Sequence, residues 1–82
     1  MFIAINEWGY ALLGQNKDAQ AIEVFKLSIY VSPKSANAYD SLAEAYEKVG
    51  DKENAILQYR KCLELEPSNP HALERLAVLV KP

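Results

Sequence analysis

The sequence predicts an all-α fold of five helices, in which antiparallel helix pairs repeat and stack into a right-handed superhelix. Pro33 and Pro67 lie 34 residues apart, and the residue types before them recur at the same offset. A fixed period of roughly 20–50 residues is typical of a solenoid of stacked repeats. The repeated columns are Ile5/Tyr39/Leu73, Trp8/Leu42/Leu76, Gly9/Ala43/Ala77, Leu12/Tyr46/Val80, Ala21/Ala55 and Phe25/Tyr59.

The first helix pair is predicted from two apolar stripes. Ile5, Trp8 and Leu12 have the spacing of one helix face and predict a helix over residues 2–14. A second stripe predicts a helix over residues 18–31. Its members are Ala21, Ile22, Phe25 and Ile29.

The later helices repeat this pattern. The columns of the second unit predict helices over residues 36–49 and 52–65, and those of the last segment predict a helix over residues 70–80. No segment alternates apolar and polar residues over several positions, so we expect no strand. The single domain then comprises a first repeat at about 2–35, a second at about 36–69 and a half repeat or cap helix at about 70–82.

Residues that favour helix ends stand at the predicted boundaries. Ser35, Asp51 and Asn69 can each cap a helix start, because a side-chain oxygen there accepts hydrogen bonds from unpaired backbone amides. Asn16 and Gly50 occupy the same column, and both residue types tolerate the left-handed conformation that ends a helix.

The second unit resembles the tetratricopeptide repeat, whose signature has an aromatic, a leucine with a small residue and a tyrosine in the first helix, then alanine, an aromatic and proline. The matching residues are Tyr39, Leu42, Ala43, Tyr46, Ala55, Tyr59 and Pro67. The first unit keeps Gly9, Ala21, Phe25 and Pro33. It has Trp8 where the family has leucine, and we expect this ring to add bulk between the first two helices.

Composition disfavours two classes of partner. The chain has a net charge of −2, and its nine lysines and arginines form no basic stripe, so we expect no nucleic-acid binding. No apolar run reaches the roughly 18 residues that a membrane span needs, so we expect no membrane partner. Cys62 is the only cysteine, and the apolar start lacks the basic flank of a signal peptide. We therefore predict a cytoplasmic location.

No constellation of residues predicts catalysis. The sequence has no glycine-rich phosphate loop, no HExxH, no CxxC and no Ser-His-Asp set. We expect a protein that is not an enzyme, with no catalytic residue, no cofactor and no metal. His71 is the only histidine and is expected on the surface. Cys62 is expected to pack against a neighbouring helix.

The resemblance implies a concave groove, lined by the first helix of each pair, that binds a peptide or a partner helix. The groove candidates that it implies are Asn6, Tyr10, Leu13, Asn37, Asp40, Glu44, Glu47, His71 and Glu74. Carboxylates outnumber cations among these positions, so we expect a protein or peptide partner with a neutral or basic segment. The alternative is that these residues form ordinary solvated faces.

One branch of this family binds acidic chaperone tails through a clamp of basic residues and asparagines. The corresponding positions here are Asn6, Tyr10, Ser41, His71 and Arg75. Only Arg75 matches, and Asp40 and Glu44 stand where an acidic tail would lie. The comparison disfavours binding of such tails.

The predicted end helices leave a second class of function open. Apolar residues outside their core stripes indicate either a fragment of a longer protein or a homodimer through the end helices. The segment over residues 39–46 is also similar to short repeat tails of larger bacterial enzymes, including serine hydrolases of the β-lactamase type. On that alternative the chain is a structural or dimerising C-terminal appendage of a larger enzyme.

Overall fold

The computed structural model describes residues 4–81, which form five α-helices and no strand. The helices are α1 (Ile5–Gly14), α2 (Asp18–Val31), α3 (Ala36–Lys48), α4 (Lys52–Leu65) and α5 (Pro70–Leu79). The predicted all-α fold class is confirmed. The predicted start of the first helix at residue 2 lies outside the described residues, and Ala4 is the N-cap of α1.

The residues predicted at the starts and ends of the helices are found at those positions in the structure. The side chains of Ser35, Asp51 and Asn69 each accept a hydrogen bond from the backbone amide three residues later. Asn16 and Gly50 have positive φ angles of 62° and 81°, which is the left-handed conformation that releases the chain from a helix. The predicted boundaries of α2 and α4 agree with the structure, and Asp51 caps the start of α4.

Each helix packs against the next one along the chain, and α1 also contacts α3. The buried residues form two clusters. The first cluster joins α1, α2 and α3 and consists of Leu13, Ala21, Phe25, Leu42 and Ala45. The second joins α3, α4 and α5 and consists of Ala43, Ala55, Tyr59, Cys62 and Ala72. The two clusters meet at α3, which is therefore covered from both sides.

Cys62 lies in the second cluster with no exposed surface, as the sequence predicts. Burial raises the pKa of its thiol to about 11, with smaller contributions from the charges of Asp40 and Glu66. The thiol is therefore protonated at neutral pH and acts as a small apolar packing group.

The close approach of α1 and α2 depends on Gly9. A Cβ atom at this position would lie only 2.4 Å from Cε1 of Phe25. Trp8, which we expect to add bulk between these helices, is 49% exposed, so about half of its surface does not pack against the chain. The ring of Phe25 already occupies the space above Gly9.

The predicted apolar stripe of the last helix is also only partly in the core. Leu76 packs against the second cluster, but Leu73 and Val80 are 48% and 50% exposed, and Ala77 is exposed as well. Five helices provide a neighbour for only one side of α5. Within residues 4–81, no helix has both the length and the apolar character needed to cross a membrane.

Candidate functional site

An open cavity of about 360 Å³ lies where α1, α3, α4 and α5 meet. We call it the central cavity. It is lined by Leu13, Glu44, Glu47, Lys48, Tyr59, His71 and Arg75. Six of these seven side chains carry a charge or a polar atom, so the cavity has a polar lining over the junction of the two core clusters.

Glu47 is held from two sides. Arg75 of α5 donates to both carboxylate oxygens, with Nε 3.1 Å from Oε1 and Nη2 bonded to Oε2. The hydroxyl of Tyr59 also donates to Oε1, at 2.9 Å. The bond to Arg75 lowers the pKa of Glu47 below its usual value. Arg75 and Glu47 therefore neutralise each other inside the cavity.

His71 connects α5 to two carboxylates of α3. Its Nδ1 lies 2.7 Å and 3.0 Å from the two carboxylate oxygens of Asp40, which is buried. Its Nε2 lies 3.6 Å from Oε1 of Glu44. Burial lowers the pKa of His71, but the hydrogen bond and charge of Asp40 outweigh burial and raise the pKa above its ordinary value.

Glu44 is the least compensated carboxylate of the central cavity. Its ion pair with His71 is longer than a hydrogen bond. Burial raises its pKa, and the charge of Asp40 raises the pKa further, while His71 lowers it. An additional cation beside Glu44 would therefore be stabilised.

Lys48 of α3 is bonded to residues at the turn between α1 and α2. Its Nζ donates to the backbone carbonyl of Leu13 at 2.7 Å, to Asn16 at 3.2 Å and to Asp18 at 2.8 Å. These bonds attach the end of α3 to the turn between α1 and α2. All three cationic side chains that line the cavity, Lys48, His71 and Arg75, thus have a carboxylate partner.

Asp40, Glu44 and His71 are a group whose ligand atoms lie within 4.8 Å of one another, so they could approach a metal ion. In tetrahedral geometry, a zinc ion about 2.0–2.2 Å from each ligand would hold the ligand atoms more than roughly 3 Å apart. The separation of 2.7 Å between His71 Nδ1 and Asp40 Oδ1 is that of a direct hydrogen bond. We therefore interpret the group as an ion-pair network.

The structure separates the predicted groove residues into four groups. Leu13, Glu44, Glu47 and His71 line the central cavity. Tyr10 and Asp40 lie beside it, because Tyr10 bonds to Ser41 at 3.1 Å and Asp40 bonds to His71. Asn6 lines a separate cavity, with Ser28 and Ser32 of the α2 end, and Asn37 and Glu74 are exposed outside both cavities.

Sequence reasoning did not identify three roles in the cavity. The sequence predicts Tyr59 only as a core aromatic and Arg75 only as one match to a basic clamp, and it predicts His71 as a surface residue of the groove without its bond to Asp40. A signal for these contacts does exist, because Tyr10–Ser41 and Asp40–His71 are both separated by 31 residues and Glu47–Arg75 by 28. These separations are the 34-residue period less about one or two helical turns.

Comparison with known proteins places this arrangement in a family. The family model of the tetratricopeptide repeat matches residues 36–79. Over 62 residues the chain is 34% identical to Hsp70-Hsp90 organizing protein 1 of Glycine max, a match that covers 76% of this chain and 11% of that protein. Over 48 residues it is 44% identical to the probable biofilm formation methyltransferase WspC of Pseudomonas putida, covering 58% of this chain and 11% of that protein. The chain thus spans about a tenth of the length of these relatives.

A solved structure has the same fold. The first TPR of Spaghetti (RPAP3), bound to the HSP90 peptide SRMEEVD, aligns with a TM-score of 0.81 and 27% sequence identity. The alignment covers 87% of this chain and 56% of that one.

Proposed function

The chain belongs to the tetratricopeptide-repeat family, and on that premise we propose that its central cavity binds a peptide segment or helix of a partner protein. Domains of this family are generally interaction modules without catalysis. The observation that supports the proposal most is the open, polar central cavity between α3 and α5. The peptide complex of the similar Spaghetti domain supports a protein partner for this chain.

We further propose that the bound segment is neutral or basic and places a cation against Glu44. Arg75 is bonded to Glu47 and Lys48 to Asp18, so neither is free to receive an acidic side chain without losing its partner. Glu44 is half-buried, and its raised pKa reflects a carboxylate that has lost part of its hydration. A lysine or arginine of the partner would form an ion pair with Glu44 that replaces the lost hydration.

An apolar side chain of the same segment would lie against Tyr10 and Leu13. Tyr10 is partly exposed beside the cavity, and its ring packs edge-on against Phe25 at 5.1 Å. Leu13 lines the cavity while belonging to the first core cluster. A rigid aromatic supported from behind is a favourable contact for a partner's apolar residue. Hydrogen bonds from Asn6 and Asn37 to the partner's backbone stay predictions.

The proposed preference differs from the peptide in the Spaghetti complex. SRMEEVD contains two glutamates and one aspartate. Among the clamp positions of this chain only Arg75 has the matching residue, and Glu47 neutralises it. Ser41 accepts the hydrogen bond of Tyr10, and His71 is bonded to Asp40. Charge at these positions therefore favours a basic segment over an acidic one.

The test is the affinity of a fluorescently labelled heptapeptide that carries three lysines. We expect Glu44→Gln to weaken binding about tenfold, which corresponds to the roughly 1.4 kcal/mol of one charge-assisted contact. Glu64→Gln is the matched control, because it removes the same charge from an exposed position of α4. Equal affinities of the two variants would contradict the proposed role of Glu44.

A second candidate is that the chain is a structural appendage of a larger enzyme. Two relatives are named for enzymatic activities, namely WspC and the UDP-N-acetylglucosamine–peptide N-acetylglucosaminyltransferase of Giardia intestinalis, and this chain covers 11% and 4% of them. We would delete the chain from the natural gene product. An adjoining catalytic domain that stays active but loses its assembly or substrate capture would support this candidate. The homodimer through the end helices and the cytoplasmic location stay predictions.

A further inference from the structure

The two ring nitrogens of His71 face two different carboxylates of α3. Nδ1 lies 2.7 Å and 3.0 Å from the carboxylate oxygens of Asp40, which accept its hydrogen. Nδ1 therefore carries a hydrogen whether the ring is neutral or charged, and Nε2 is the atom that gains or loses the proton. Nε2 lies 3.6 Å from Oε1 of Glu44. The proton that sets the charge of His71 is thus bound on the side of Glu44.

The space between Nε2 and Glu44 changes its chemistry with the charge of the ring. In the charged ring, the hydrogen on Nε2 compensates the carboxylate of Glu44. In the neutral ring, Nε2 and Oε1 are two hydrogen-bond acceptors 3.6 Å apart. A single nitrogen atom can lie within about 2.9 Å of both acceptors, which is the usual length of an N–H···O bond. The neutral ring and Glu44 together therefore suit an ammonium group, which carries three hydrogens.

This pair is open to a partner. His71 and Glu44 both line the central cavity, and their side chains are 42% and 35% exposed. Asp40, on the other side of the ring, is buried and holds His71 in place. A cation that enters the cavity can therefore approach Nε2 and Oε1 together without displacing the bond to Asp40.

The other titratable groups around the ring keep their charge at neutral pH. The groups that face His71 or its two carboxylates are Tyr10 of α1, Asp40, Glu44 and Glu47 of α3, Tyr59 of α4 and Arg75 of α5. Burial raises the pKa of both tyrosines, so they stay neutral. The bond to Arg75 lowers the pKa of Glu47, so this pair stays charged. His71 is the group whose ordinary pKa of about 6.5 lies closest to neutrality.

On the premise of the proposed binding of a basic segment, we propose that the central cavity exchanges a proton for a lysine ammonium of that segment. The N–H bond at Nε2 of His71 breaks, its proton goes to solvent, and the ammonium donates to Nε2 and to Glu44 in its place. The charged ring repels the ammonium and already compensates Glu44, whereas the neutral ring accepts a hydrogen bond from it. The affinity for the segment therefore rises as pH rises through the titration of His71.

The first test measures the affinity of an N-terminally acetylated heptapeptide with three lysines at constant salt. Acetylation removes the terminal amine, which would itself titrate, and the lysines stay charged. We expect the affinity to rise about three- to tenfold between about pH 6 and 8, below the roughly hundredfold limit of one fully released proton, because the pair is partly exposed. His71→Gln keeps a polar side chain that cannot titrate, so its affinity should change less than about twofold. Circular dichroism verifies the fold of this variant.

The second test uses the unaltered chain. His71 is the only histidine, so the NMR signal of its Cε1 hydrogen reports the charge of this ring alone. Saturation with the lysine peptide should lower the midpoint of that titration, because coupling between proton and peptide is reciprocal. Binding that is independent of pH, an equal rise for His71→Gln, or an unmoved NMR midpoint would overturn the exchange and leave the binding of a basic segment standing. Absence of binding at every pH would overturn both.

Discussion

The two helix pairs use the same packing position for different purposes. In the first pair the aromatic of the second helix is Phe25, which lies on Gly9 and has no polar atom to offer. In the second pair it is Tyr59, which is equally buried but whose hydroxyl donates to Glu47. Glu47 in turn binds Arg75 of α5. The hydroxyl of Tyr59 thus links the core of the second pair to the central cavity through a hydrogen bond. In the first pair, Phe25 contributes only close packing against Gly9.

The largest expected effect concerns the complete burial that Phe25 and Tyr59 share. Phe25→Ala and Tyr59→Ala should each lower the free energy of unfolding by about 3–5 kcal/mol, because both side chains are fully buried and the helices cannot close the space left behind. Urea denaturation measures the loss. Tyr30→Ala is the control, since this ring is 83% exposed and its removal should change stability by no more than about 0.5 kcal/mol. Losses similar to that of the control would contradict the shared role.

The second prediction addresses the shape fit of the first pair. Gly9→Ala should destabilise the chain by about 1–3 kcal/mol, because the new Cβ would overlap the buried ring of Phe25. Gly14→Ala is the matched control within α1. A Cβ there meets no atom within 4 Å, so helix propensity should make this variant neutral or more stable by up to about 1 kcal/mol. If thermal unfolding ranks the two variants in the opposite order, the fit of Gly9 and Phe25 is not what closes the first pair.

The third prediction concerns the hydroxyl of Tyr59, which distinguishes the second pair from the first. Tyr59→Phe keeps the ring but removes the hydrogen bond to Glu47, at a cost of about 1 kcal/mol in the free energy of unfolding. Glu47 keeps its bonds to Arg75, which limits the loss. The control is Tyr39→Phe, which removes an exposed hydroxyl that bonds to the carbonyl of Pro33 and should cost less. An unchanged chemical denaturation midpoint for Tyr59→Phe would contradict the claim that this hydrogen bond stabilises the second pair.

The smallest effect concerns the ion pair of His71 and Asp40. The pKa of His71 is raised in the folded chain, so its stabilisation is fully present below its unfolded value of about 6.5 and is lost as pH rises through the higher folded value. The groups that face the ring are Asp40, Glu44, Tyr59 and Arg75. Because the His71 side chain is 42% exposed, we expect no more than the roughly 0–1 kcal/mol of solvent-screened ion pairs.

Unfolding free energies measured between about pH 6 and 8 provide the test. The wild-type chain should become less stable relative to His71→Gln as pH rises across this interval. Parallel pH profiles would mean that His71 does not bind its proton more tightly in the folded chain.

The helices were predictable because their signals are local. Asp51 and Asn69 cap helix starts wherever they stand before an apolar stripe, and Gly50 ends a helix through its own backbone. The exposure of Leu73 was not predictable in this way, because the column that it shares with Tyr39 is buried only where a following helix covers it. Periodicity identifies the face of a helix but does not show whether a neighbour is present.

The central cavity was predictable only in outline. The groove positions of α3 follow from the repeat, and Glu44 and Glu47 do line the cavity. Their partners depend on the offset between successive first helices, which places His71 opposite Asp40 and Arg75 opposite Glu47. That offset follows from how the pairs stack in three dimensions, and no single segment encodes it.

The preference of the central cavity for a basic segment is tested most directly by comparing two peptides. One is SRMEEVD, and the other is the same heptapeptide with its two glutamates and its aspartate replaced by lysine. Isothermal titration of the intact chain at low salt should give about tenfold or greater tighter binding of the lysine peptide, with a preference that shrinks as salt is added. Tighter binding of SRMEEVD would contradict the account, because Arg75 would then have to leave Glu47 to receive an acidic partner.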